Sequence, residues 1–118
     1  MKGRRFYRRM GFALAGWCAA FRRERSFRTH VAMAAAVTVA LIVLRPAPIW
    51  WAVVGLLVAL VLALELVNSA LETILDLLHP DLHVEVGAAK DMASGAVLMM
   101  AVAAVVVGAA LLVEVWRT

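Results

Sequence analysis

Glu65, Asn68, Glu72 and Asp76 lie in a long apolar stretch, and residues 49–64 ahead of them carry no charge. On a helix turning about 100° per residue, Asn68 falls about 60° to one side of Glu65, Glu72 about 20° to that side and Asp76 about 20° to the other. All four therefore share one face. An ionisable side chain inside a membrane segment is costly and marks a functional site by default. A carboxylate there can act as a base, bind a hard cation or pair with a basic group. Glu65 and Glu72 are separated by about 10 Å along the axis, too far to share one proton or clamp one ion. They suit two tasks in series: Glu65, the more desolvated, as a base, and Glu72, nearer water, as a ligand for Mg²⁺. Magnesium takes one or two carboxylates together with phosphate oxygens. The plainer alternatives are an arginine partner for Glu65, a helix-gluing role for Asn68 and a solvated or helix-terminal charge at Asp76.

Lys90-Asp91 is a second constellation. The chain has ten arginines and two lysines, and one of those lysines opens a long apolar segment. A flexible ammonium reaches a phosphate as a point charge, and Asp91 is placed to orient it or assist a metal. The small residues Ala88, Ala89, Ala93, Ser94, Gly95 and Ala96 surround the pair and permit close helix approach. The ordinary alternative is a snorkelling lysine beside an N-terminal aspartate. Glu24 stands alone among Arg22, Arg23, Arg25 and Arg28, either as a surface ion-pair member or at the depth expected for Glu72. His79 and His83 are four apart, but Pro80 between them opposes a helical metal pair. There is no glycine-rich phosphate loop of the soluble nucleotide-binding designs.

The elements that must position these groups are helical. Residues 2–24 form an amphipathic interfacial helix, with Phe6, Met10, Leu14, Trp17 and Phe21 recurring every three or four positions. A first span covers about 27–44 and stops at Arg45-Pro46-Ala47-Pro48. A second covers about 49–78, with Trp50 and Trp51 as interfacial anchors. At about 45 Å it exceeds a hydrocarbon core of about 30 Å, so its Glu72 and Asp76 end protrudes or tilts. After a polar connection over 79–87, a third span covers about 88–116. The fold expected is all-α and integral to the membrane, one domain over 1–118.

At 65% hydrophobic, the composition lies well above that of soluble domains. Nine of the twelve basic residues precede Val31. Beside apolar spans, that arm marks the cytoplasmic side and contact with anionic lipid rather than nucleic acid. It places the N-terminus and the 79–90 loop inside and the C-terminus outside. Arginines returning after residue 21 exclude a signal peptide, and long unalternating apolar runs exclude a β-barrel. The single cysteine, Cys18, excludes an internal disulfide framework.

The run Glu65-Leu66-Val67-Asn68-Ser69-Ala70-Leu71-Glu72, followed by Ala89-Lys90-Asp91, resembles the signature of the prokaryotic diacylglycerol kinase family, which includes the undecaprenol kinases of Gram-positive bacteria. Glu24-Arg25-Ser26-Phe27-Arg28 is a weaker match, and the likeness covers nearly the whole chain. It implies a homotrimeric helical bundle of three spans and a surface helix per subunit, with active sites shared between neighbours. It also implies transfer of the ATP γ-phosphate, with Mg²⁺, to a membrane-lipid hydroxyl at the inner face of the bacterial cytoplasmic membrane. Glu65 then corresponds to the general base and, with Ser94, to the lipid contacts. Glu24 and Glu72 correspond to the metal ligands, and Asn68, Lys90 and Asp91 to nucleotide-positioning groups. Arg5, Asp81 and His83 fall at ATP-contact positions. Phe12 stands where an enterobacterial relative has tyrosine, so it brings a ring without a hydroxyl.

Two lipids stay open. The segment ending at His30 resembles the undecaprenol-kinase branch, and Lys90-Asp91-Met92-Ala93-Ser94 resembles the Gram-negative diacylglycerol-kinase branch. Two other function classes fit part of the pattern. A small proton-coupled transporter would use Glu65 but leaves Glu72, Lys90 and Asp91 on one side unexplained. A non-catalytic membrane subunit would need a stoichiometric partner.

Overall fold

The structure is a computed structural model and describes residues 2–78 and 84–117. Four helices account for them: α1 (Lys2–Arg23), α2 (Arg25–Leu44), α3 (Pro48–Leu78) and α4 (Val84–Arg117). No strand occurs among the described residues. The last three helices are each long and apolar enough to cross a membrane. The chain is an all-α integral membrane protein.

The breaks between helices have local causes. α1 and α2 are separated by Glu24 alone, in an extended conformation (φ −112°, ψ 110°) with no side-chain capping bond. Arg28 braces this corner from the first turn of α2. Its guanidinium Nη1 donates to Phe21 O at 2.9 Å and Arg22 O at 3.0 Å, satisfying carbonyls that the end of α1 leaves without helical partners. α2 closes at Arg45, which takes the left-handed conformation (φ 48°) and returns its N–H to Leu41 O at 2.9 Å. Pro46 blocks continuation, and Pro48 starts α3, where a proline's missing N–H leaves nothing unpaired.

α4 begins at Val84, four residues earlier than the apolar pattern predicts. The segment around Glu85 looks polar in sequence, yet a carboxylate in a first helical turn is favourable against the helix dipole.

α3 touches each of the other three helices and packs most extensively on α4. The far end of the bundle is tied by buried Leu41, Val54 and Leu111, with Trp50, Val58, Val107 and Val115 against them. The neighbours α2/α3 and α3/α4 run antiparallel, as their short connections require. Much of the outer surface is apolar, with Leu56, Leu60, Leu98, Met99 and Val105 all exposed. Water does not tolerate such a surface on a monomer, whereas lipid or a neighbouring helix does.

Helix lengths set the depth of the site. With 20 residues, α2 is about 30 Å long, the thickness of a hydrocarbon core. α3 has 31 residues and is about 46 Å long. Ser26, on the first turn of α2, meets Glu65 of α3. The segment 66–78 therefore extends about 20 Å beyond that contact, carrying Glu72 and Asp76 with it.

Candidate active site

Glu65 is the one buried charged side chain among the described residues, at 3% exposure. Its partner is the Ser26 hydroxyl, which donates to Oε1 across the α2–α3 interface. The sequence allowed an arginine in that place, but no arginine is paired with it among the described residues. The other carboxylate oxygen, Oε2, is buried with no hydrogen-bond partner, and so is Asn68 Oδ1 one turn further on. Two orphaned acceptors on one face are expensive to desolvate. Each would be satisfied by a group that brings a hydrogen-bond donor.

An apolar groove of 780 Å³ lies between α1, α2 and α3. Trp17 and Phe21 of α1, Phe27 and Val31 of α2, and Leu62 and Leu66 of α3 form its walls. Leu66 is next to Glu65 in sequence and Leu62 lies about one turn before it, while Glu65 itself is not in the lining. Arg22 is the single charged side chain in that lining. A second apolar groove of 400 Å³ lies between α2, α3 and α4, with His30 as its polar lining residue. His30 Nδ1 lies 2.9 Å from Ser26 O; a carbonyl accepts, so Nδ1 carries the proton.

Lys90 does reach across to the polar face of α3. Its Nζ is 2.5 Å from Asp76 Oδ1. Asp76 had no assigned role in the sequence beyond a helix-terminal charge, although it shares the face of Glu65 and Glu72. The signal that could have singled it out is that antiparallel neighbours bring the end of α3 beside the start of α4. Ser26 was likewise missed, and the need of a buried Glu65 for a donor was its signal.

The remaining candidates are less enclosed. Glu24 and Glu72 are half-buried, at the α1/α2 corner and on α3, and neither joins an ion pair among the described residues. Arg5 and Phe12 on α1, and Asp91 and Ser94 on α4, are exposed. Asp81, His83 and His79 lie outside the described residues. No cluster of three or more His, Cys, Asp or Glu occurs among the described residues. Glu24 and Glu72 are each partly exposed carboxylates, the ligand type that Mg²⁺ takes alongside phosphate oxygens.

Residues 11–112 match the family described as prokaryotic diacylglycerol kinase. The chain belongs to the prokaryotic diacylglycerol kinase family. Within it, a Synechocystis protein named diacylglycerol kinase is 44% identical over 102 residues, which take in 86% of this chain and 58% of that protein. A Bacillus subtilis protein named undecaprenol kinase is 36% identical over 104 residues, 88% of this chain and 85% of that protein. The kinase-family match contains every element of the site from Phe12 to Ser94 and leaves Arg5 outside it.

Proposed function

We propose that this chain is a lipid kinase that moves the γ-phosphate of ATP to the hydroxyl of a membrane lipid, either diacylglycerol or undecaprenol. The observation that carries this reading is Glu65: a buried carboxylate with one oxygen anchored and one unpartnered, on the helix whose Leu62 and Leu66 line an apolar groove. The names of the two relatives, a diacylglycerol kinase and an undecaprenol kinase, supply the two candidate acceptors.

A lipid acceptor stays in the bilayer, so its base must sit at the hydrocarbon boundary, where Glu65 lies by helix length. The lipid's apolar part occupies the groove lined by Trp17, Phe27 and Leu66, and Ser94 contributes to the lipid contacts. Glu65 Oε2 accepts the hydroxyl proton as the lipid oxygen attacks the γ-phosphorus. Such transfer needs in-line positioning and charge neutralisation more than covalent help.

ATP arrives from the aqueous side, so its ligands belong on the protruding end of α3 and the start of α4. Lys90 carries the ammonium for phosphate oxygens, with Asn68 and Asp91 positioning the nucleotide. Arg5, Phe12, Asp81 and His83 complete the nucleotide contacts. Glu24 and Glu72 hold Mg²⁺, which supplies charge neutralisation to the phosphate oxygens when bound. Glu24 is available because it makes no capping bond at α2.

The working unit is a homotrimer with active sites shared between neighbouring subunits. Exposed Phe12, Asp91 and Ser94, which one chain leaves uncovered, support that arrangement. α1 lies on the inner face of the bacterial cytoplasmic membrane, with the N-terminus inside and the C-terminus outside. The basic arm before Val31 supports this sidedness.

The test is transfer of labelled phosphate from ATP, with Mg²⁺, to diacylglycerol and to undecaprenol in mixed micelles. Transfer to one of them is expected. A folded preparation that labels neither contradicts the reading.

A further inference from the structure

Ser26 belongs to no part of the mechanism above, yet it is the group that touches the base. It stands on the first turn of α2, two residues after the Glu24 corner, and its hydroxyl reaches Glu65 Oε1 on the next helix. An ionised carboxylate only accepts, so the hydroxyl proton is committed to Oε1. Oε1 is thereby engaged, while Oε2, buried and without a partner, has its acceptor sites open. Asn68 Oδ1, in the same condition, lies one turn away on the same face.

We propose that Ser26 is a positioning residue for Glu65: by holding Oε1 it assigns Oε2 to the incoming lipid hydroxyl, a role that rests on the lipid-kinase reading. A glutamate has three side-chain torsions, and Ser26 is the hydrogen-bond partner found for Glu65 among the described residues. Without an anchor, the carboxylate rotates and either oxygen can turn away from the acceptor. With one, Oε2 points along a single direction. As the lipid oxygen bonds to the γ-phosphorus of ATP, its O–H proton passes to Oε2. The bridging P–O bond breaks with its electron pair on ADP, and Ser26 keeps its own proton throughout. The role is one of geometry at the reacting atoms, so its loss appears in turnover rather than in binding.

The experiment compares wild type, Ser26→Ala and Ser26→Thr in mixed micelles with ATP and with diacylglycerol or undecaprenol. Ser26 is exposed, so the extra methyl of threonine has room while the hydroxyl is retained. Losing one hydrogen bond to a charged group, Ser26→Ala is expected to lower kcat about 10- to 100-fold. KM for lipid and for ATP should stay within about twofold of wild type, and Ser26→Thr should restore kcat to within about threefold. Unchanged kcat in Ser26→Ala, a loss wholly in KM, or no rescue by a folded Ser26→Thr overturns the assignment. Wild type that labels neither lipid overturns the kinase reading and this role with it. Active wild type with an indifferent Ser26→Ala overturns the role of Ser26 alone.

Discussion

Lys90 Nζ lies 2.5 Å from Asp76 Oδ1, joining the first turns of α4 to the last turns of α3. The side chains are 30% and 59% exposed, so solvent screens much of the attraction. The phosphate contact proposed for Lys90 would compete with this aspartate for the ammonium.

The two members of this pair should therefore separate by kinetics. Asp76→Asn is expected to cost less than about 1 kcal/mol in thermal unfolding and to leave KM for ATP within about threefold of wild type. Lys90→Ala should raise that KM about tenfold or more, because a charge-assisted contact to phosphate is lost. Equal effects of the two substitutions on KM would show that Lys90 serves only as a helix staple.

Metal dependence tests Glu72. Chelation should stop phosphate transfer and added Mg²⁺ should restore it. In Glu72→Gln the Mg²⁺ concentration for half-maximal rate should rise about 10- to 100-fold, the cost typical of losing support around a bound metal. A magnesium titration that superimposes on wild type would remove Glu72 from the ligand set.

The corner that presents Glu24 depends on Arg28, whose guanidinium holds the last carbonyls of α1. Arg28→Ala is expected to destabilise the protein by about 1–3 kcal/mol, measured by thermal unfolding in detergent. Because Glu24 stands at that corner, the Mg²⁺ requirement should rise with it. An unchanged melting temperature would show that the two hydrogen bonds contribute nothing.

Much of this architecture is legible in the residues because apolar run length and proline placement are local signals. Arg45 to Pro48 ends one helix and starts the next where the prolines require it, and the α1/α2 boundary falls at Glu24 among the returning arginines. The polar face of α3 follows from helical phase alone. What the residues do not disclose is how far one helix slides along another. Ser26 and Glu65 are separated by 39 positions, and their meeting depends on that slide. The same holds for Asp76 and Lys90. Helical phase places Asp76 on the correct face, but only the packing of α4 on α3 provides its partner. The start of α4 at Val84 was hidden by polar residues that suit a helical first turn as well as a loop.

The central claim is that Glu65 is the base, and one substitution addresses it most directly. Glu65→Gln keeps the shape of the side chain and an oxygen for Ser26 but removes the ability to take a proton. Phosphate transfer to the accepted lipid should fall about 10²- to 10⁴-fold, while ATP binding, followed by equilibrium titration, stays at the wild-type level. Near-normal turnover in Glu65→Gln would contradict the assignment.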